Sequence, residues 1–189
     1  ITQQHPEIGS YGSLNSVFFT SQLLGYAVGN NGVILKTTNG GIDWVSKANG
    51  IYYDLYDISF SNSNLGVVVG SYGLIFKTTD GGETWRVVYE NKTKGMFLDA
   101  IDFVGGEYGI VVGDPIDNKI FIAETFDSGN TWNELGLEGK RPVADSGEAF
   151  FAASGTNIRL MIDKDFFLAS GGTKSRLITR FGATALPVV

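Results

Sequence analysis

The chain has no cysteine, a single histidine and no long apolar run, and each shortage removes a class of chemistry. Without cysteine there is no disulfide framework, no thiolate nucleophile and no zinc–thiolate site. The lone histidine, His5, lies in a polar N-terminal segment without a partner His or Cys, so it reads as a free surface side chain and no metal site is expected. No stretch approaches the roughly 18 apolar residues of a membrane-spanning helix, so no transmembrane segment is expected. Basic residues are outnumbered, 14 against 20 acidic ones, and a net charge of −6 is a poor match for nucleic acid, whose phosphates need clustered Lys and Arg. No strand–glycine-loop–helix unit for a dinucleotide is present, and no cofactor is expected. The first residue is Ile1, which predicts a mature or trimmed form with any export signal removed.

Glycine is abundant, at 26 of 189 residues, about twice the usual share of roughly 7%. Much of it belongs to a phrase written three times: Thr37-Thr38-Asn39-Gly40-Gly41-Ile42-Asp43-Trp44, Thr78-Thr79-Asp80-Gly81-Gly82-Glu83-Thr84-Trp85 and Thr125-Phe126-Asp127-Ser128-Gly129-Asn130-Thr131-Trp132. All three tryptophans end a copy, at intervals of 41 and 47 residues. Upstream of each copy a further pattern recurs, with Leu14, Val17 and Phe19 matching Leu55, Ile58 and Phe60, and then Leu98, Ile101 and Phe103. A period of roughly 40–50 residues marks a repeat architecture. Each repeat reads as four short runs rich in β-branched and aromatic residues, punctuated by Gly, Asn, Asp and Ser.

Four strands per repeat without a helical period predict an all-β fold of four-stranded antiparallel propeller blades. The second repeat places strands near Leu55–Phe60, Gly66–Gly70, Gly73–Thr79 and Thr84–Tyr89. Blades are expected over 14–50, 51–92, 93–140 and 141–189, all in one domain. The third carries about four extra residues around Asp114-Pro115-Ile116-Asp117-Asn118. The fourth should begin near Ala149 and is degenerate or cut short, because Phe181-Gly182-Ala183-Thr184-Ala185-Leu186-Pro187 has no matching phrase. An arc of four blades would leave sheet faces open. The expectation is the N-terminal half of a longer propeller, with pairing to a second copy, or closure by residues 1–13, as alternatives.

Every part of the phrase has a structural task. Adjacent glycines supply positive φ at a tight reversal, and an Asp or Asn before them accepts bonds from backbone N–H groups across the turn. The tryptophan ring covers an edge between sheets. Asn39, Gly41, Trp44, Asp80, Gly82, Trp85, Asp127, Gly129 and Trp132 are therefore expected to hold turns. Asn39 supports this, since an amide keeps the turn but cannot serve as a carboxylate acid or base.

The phrase is the Asp-box, or BNR repeat. The tandem pattern as a whole, with Phe97-Leu98-Asp99-Ala100-Ile101-Asp102-Phe103, the Val112-Gly113-Asp114-Pro115 loop and Gly147-Glu148-Ala149-Phe150-Phe151, resembles the photosystem II stability/assembly factor family and its non-photosynthetic bacterial relatives. That resemblance implies a seven-bladed propeller serving as an assembly scaffold. Asp-boxes also occur in sialidases, but a sialidase site needs three arginines on a carboxylate and an activated tyrosine. The five arginines here include no Arg-Ile-Pro sequence. A glycoside hydrolase (sialidase- or endoglucanase-like) remains as the alternative, with Asp99, Asp102, Asp114 and Glu148 as carboxylates converging on the axis.

The reading is a non-catalytic scaffold that binds a protein or a glycan through loops at one end of the propeller. A residue needed only for the blade should recur, whereas one needed for a ligand has no reason to. On that ground Asp99, Asp114, Asp117, Asn118, Arg141 (in Lys140-Arg141-Pro142) and Glu148 are the candidate binding residues. The loop Asp114–Asn118 lacks the glycine and terminal glutamate of a dedicated calcium loop and is expected to be a polar hairpin tip. An exported bacterial protein, periplasmic or extracellular, fits this reading.

Overall fold

The computed structural model describes residues 12–47, 50–135, 141–152, 156–181 and 184–185. Regular structure there is almost wholly strand, with a single 3₁₀ turn at Asn30–Gly32. Four meandering antiparallel sheets follow one another. The first is β1 (Leu14–Phe19), β2 (Gly25–Gly29), β3 (Ile34–Thr37) and β4 (Val45–Ser46); the second is β5 (Leu55–Phe60), β6 (Gly66–Gly70), β7 (Leu74–Thr78) and β8 (Arg86–Glu90). The third is β9 (Leu98–Val104), β10 (Tyr108–Ile116), β11 (Lys119–Thr125) and β12 (Asn133–Glu134). After a short pair formed by β13 (Glu148–Ala149) and β16 (Gly171–Gly172), the fourth sheet comprises β14 (Ile158–Leu160), β15 (Phe166–Ala169), β17 (Leu177–Phe181) and β18 (Thr184–Ala185). The innermost strands β1, β5, β9 and β14 pack in series, so the sheets stand side by side as blades.

The second strand of each of the first three blades is buried on both faces, which is why Tyr26-Ala27-Val28, Val67-Val68-Val69 and Ile110-Val111-Val112 are continuous apolar runs. Each of these strands starts beside a phenylalanine of the preceding strand. A Cβ placed on Gly25, Gly66 or Gly109 would come within 2.5 Å of the ring of Phe19, Phe60 or Phe103. Glycine lets the ring lie flat across the strand start, and the ring in turn receives the Asp-box tryptophan edge-on. Phe19–Trp44, Phe60–Trp85 and Phe103–Trp132 centroids lie 6.1, 6.1 and 6.3 Å apart.

Three separate cores fill the spaces between blades. Tyr26, Val28 and Ile34 of the first blade meet Leu55, Ile58 and Phe60 of the second. Val67, Val69 and Ile75 of the second meet Leu98, Ile101 and Val111 of the third. Ile110, Val112 and Ile120 of the third meet Ile158, Leu160 and Phe166 of the fourth. The matching face of the first blade is different. Leu14, Val17 and Phe19 are 45, 63 and 44% exposed, whereas their counterparts Leu55, Ile58 and Phe60 are at 0, 2 and 6%. The closing strand considered for residues 1–13 falls largely outside the described residues.

The Asp-boxes hold turns, as their chemistry predicts. Asp80 Oδ1 accepts from the Thr78 hydroxyl (2.7 Å) and the Thr84 amide (2.9 Å), and its Oδ2 accepts from the Thr84 hydroxyl (2.6 Å). Asp127 repeats the pattern with Thr125 and Thr131. In the first blade the roles invert, because the Asn39 amide donates to Asp43 (2.8 Å) where Thr84 donates to Asp80. The preceding blade grips the next turn: Tyr26 Oη and Lys36 Nζ both donate to the Gly81 carbonyl, at 2.8 and 2.7 Å. Lys77 Nζ donates to Asn130 Oδ1 at 2.9 Å. Burial alone would raise the pKa of Asp80 and of Asp127, but the hydrogen bonds win and hold both at about 2. Asp80→Ala and Asp127→Ala should each cost about 0.5–2 kcal/mol, by analogy with side-chain caps of helices. Because these folded-state values are depressed, the aspartate contribution is present above the ordinary carboxylate range and is lost as pH falls toward 2. Urea titrations at pH 7 and pH 3 check this, and equal stability of wild type and Asp80→Ala at pH 7 would contradict it.

One feature differs from expectation. Ala149 lies in the short β13–β16 pair, and the fourth blade's inner strand is β14, because Ile158 and Leu160, not Ala149, face the third blade's core. The extra residues of the third repeat lengthen a hairpin: β10 runs on to Ile116, which pairs with Lys119. Asp117 and Asn118 form its two-residue tip, with φ of +51° and +60°.

Candidate functional site: an axial cleft and the acids around it

The inner strands enclose an open cleft of about 750 Å³. Its apolar wall is Leu14, Val17 and Phe19 from β1, and its polar floor includes Ser16, Asp57 and Asp102, with Arg159 from β14. Inner strands of neighbouring blades share no backbone ladder, so side chains must join them. Asp57, 3% exposed, does so across three strands. Its Oδ1 accepts from the Ser16 hydroxyl of β1 (2.6 Å) and its own neighbour's Ile58 amide (2.9 Å), and its Oδ2 accepts from the Ile101 amide of β9 (2.9 Å). Asp102 repeats the clasp one blade on, accepting from the Phe103 amide (3.0 Å) and, on the other oxygen, from the Leu160 amide of β14 (2.9 Å). Arg159 lies 3.6 Å from Asp102, with its side chain 70% exposed. Burial lifts the Asp57 carboxyl to about 7 in spite of its donors, and burial likewise raises Asp102 against the pull of Leu160 and Arg159. Both acids stitch strands together. Asp57 carries no recurring signal in the sequence, since its counterparts are Ser16 and Ala100. An aspartate inside an apolar strand is the one clue, because aspartate is depleted in strands.

The six candidate residues do not form one site. Glu148 is buried and fully engaged: it accepts from the Asp145 amide (2.8 Å), from the Ser170 hydroxyl, and from Arg176 Nε and Nη2 (2.9 and 2.5 Å). Burial opposes its ionisation, yet Arg176 and the other donors hold its pKa at about 2. Arg141 is tied to Glu134 (2.5 Å) and to the Leu135 carbonyl, over the face of Phe121. Lys140 lies outside the described residues. Asp117 and Asn118 stand exposed at the hairpin tip. Only Asp99 and Asp114 are brought together. Asp114 accepts from the Phe150 amide at 2.8 Å, and its pKa is raised by burial. Asp99 is wholly buried, and burial followed by the charge of Asp114 pushes it to about 9. Among the described residues no group of three or more His, Cys, Asp or Glu is placed to hold a metal, and no helix is long and apolar enough to cross a membrane.

Four-stranded radial blades closed by Asp-box turns define the class, a β-propeller of the BNR type, here as part of a ring. Residues 44–163 match the family described as Photosynthesis system II assembly factor YCF48, and the chain belongs to that family. Among solved structures it is similar to a YCF48 bound to D1 peptide, at 20% identity and a TM-score of 0.66, covering 92% of this chain and 53% of that one. It is similar to YCF48 from Cyanidioschyzon merolae at 17% identity and a TM-score of 0.65, over 93% of this chain and 55% of the other. An ancestral GH74 enzyme gives 12% identity and a TM-score of 0.70, over 93% and 25%. The chain thus spans about half the length of the YCF48 structures. No curated protein matches it.

Proposed function

We propose that this chain is a non-catalytic binding scaffold that receives an extended segment of a protein client along the axial cleft. The observation that carries the reading is the division of labour in that cleft. The oxygens of Asp57 and Asp102 are taken up by amides and a hydroxyl of their own and neighbouring strands, while Val17, 63% exposed, and the largely exposed Arg159 side chain beside Asp102 face the cleft. Propellers commonly carry function in what lines the axis rather than in the blades. The YCF48 that carries a D1 peptide supports a protein segment as the kind of ligand. A glycoside hydrolase needs two carboxylates facing a bond across roughly 5 or 6.5–9.5 Å, whereas here Asp102, Asp114 and Glu148 are engaged by backbone amides or by Arg176, and Asp99 is wholly buried.

The test is a photo-crosslinking residue at position 17, followed by identification of what it captures from a native envelope extract. A protein client is expected, and Val17→Asp should weaken its binding about tenfold or more, as loss of a central anchor does. Asp117→Ala at the hairpin tip should leave it unchanged. Failure to crosslink any protein, together with sugar hydrolysis abolished by Asp114→Asn, would replace the scaffold with the hydrolase.

A further inference from the structure

One pair of positions recurs at the same place in three blades with different chemistry. The inner strand of each carries a bulge at its start, and the bulged residue is Asn15, Tyr56 or Asp99. The residue after the glycine that closes the β-run of the second strand is Asn30, Ser71 or Asp114. In the first blade the two bond directly, Asn15 Nδ2 donating to Asn30 Oδ1 at 2.8 Å. In the second the Tyr56 hydroxyl pairs with Ser71. Each of those pairs has a hydrogen to give. In the third blade both partners are carboxyl groups, and neither can donate when both are ionised.

Asp99 is 0% exposed, and neither of its side-chain oxygens has a hydrogen-bond partner. The backbone amide of Asp114 is close by without meeting either oxygen at hydrogen-bond geometry. A buried, unpartnered carboxylate is among the most costly groups a fold can hold, so a native structure that keeps one has a missing ligand to account for. The surrounding charges do not supply it. Asp114 on β10 is the charged group acting on Asp99, and it is repulsive. Tyr56 on β5 lies within reach of the Asp99 charge, which disfavours only its ionised form, so Tyr56 stays neutral and brings no positive charge. Glu148 on β13, which packs on β10, is already neutralised by Arg176.

We infer that Asp99 and Asp114 are a proton-binding pair: Asp99 is kept as the neutral acid beside Asp114, so that the pair carries one charge, while Asp114 holds the Phe150 amide and so joins the third blade to the lead-in of the fourth. Loss of the proton leaves two carboxylates in one buried site and loosens that junction, which makes the joint sensitive to alkaline pH. The raised folded-state value of Asp99 agrees in direction.

A carboxyl whose folded value lies above its unfolded one stabilises fully below the unfolded pKa, and its contribution shrinks as pH rises toward the folded value. The unfolding constant of wild type, measured by urea titration from pH 5 to 9, should therefore gain a one-proton slope, tenfold per pH unit, relative to Asp99→Asn. Asp99→Asn puts a neutral amide at the place Asn15 holds in the first blade, so it should be the more stable protein at pH 8. Carbon-13 NMR of the Asp99 carboxyl in the wild type reads the proton directly and does not depend on any variant folding. Its titration in the ordinary carboxylate range, or equal pH slopes for wild type and Asp99→Asn, would overturn the inference.

Discussion

Arg176→Ala is expected to destabilise the protein by about 3–5 kcal/mol, the cost of leaving a buried charge without its partner. The Glu148 side chain is fully buried, and Arg176 reaches it with two nitrogens while also donating to the Val143 carbonyl at 2.6 Å. One guanidinium thus joins the lead-in segment of the fourth blade to its third strand. Removing it strands a carboxylate that only the Asp145 amide and the Ser170 hydroxyl still satisfy. The double variant Arg176→Ala with Glu148→Gln should recover much of the loss, because the uncompensated charge goes with the pair. Acid should also act differently on the variant. With its pKa held at about 2, Glu148 contributes stability above its ordinary range that is lost as pH falls toward that value, and Arg176→Ala should lose most of this dependence. Urea denaturation from pH 2.5 to 7 measures both effects. A loss below about 1 kcal/mol at pH 7 would mean that the pair behaves as an exposed one.

Phe60→Ala is expected to cost a further large sum, about 3–5 kcal/mol. Its ring stacks on Tyr26 at 4.1 Å, receives Trp85 edge-on and lies across the start of β6 at Gly66. Its removal would open a cavity between two blades and free two other aromatic rings. The molecule contains its own control, because Phe19 occupies the same position one repeat earlier at 44% exposure, against 6%. Phe19→Ala should cost clearly less, since it is open to water on one side and leaves no enclosed void. Thermal unfolding of the two variants in parallel makes the comparison. Equal costs would show that the face of the first blade is covered in solution.

What was legible in the sequence was what is local. The Asp-box fixes its own turn within eight residues, and the strands of the second repeat fall within two residues of their predicted ends because glycine and asparagine bracket them. The family resemblance rested on the same short patterns. What was not legible is what joins distant residues. Asp57 binds an amide 44 residues away, Asp102 one 58 away, and Glu148 an arginine 28 away. The rule that non-recurring residues bind ligands selected Glu148 and Arg141, yet irregular blades also need irregular fastenings, and both side chains turned out to be fastenings. Asp99 was selected on the same rule, and its meaning emerges only beside Asn15 and Tyr56, once the bulges show that the three positions correspond.

The three inter-blade cores have no buried residue in common, and this shapes how the protein comes apart. In a molecule with a single core, damage anywhere is felt everywhere at once. Here each blade is answerable only to the blades packed directly against it, as in other stacked repeats. Stretched between its ends, such a chain yields like a zip rather than a knot, surrendering one blade while those behind it keep their order.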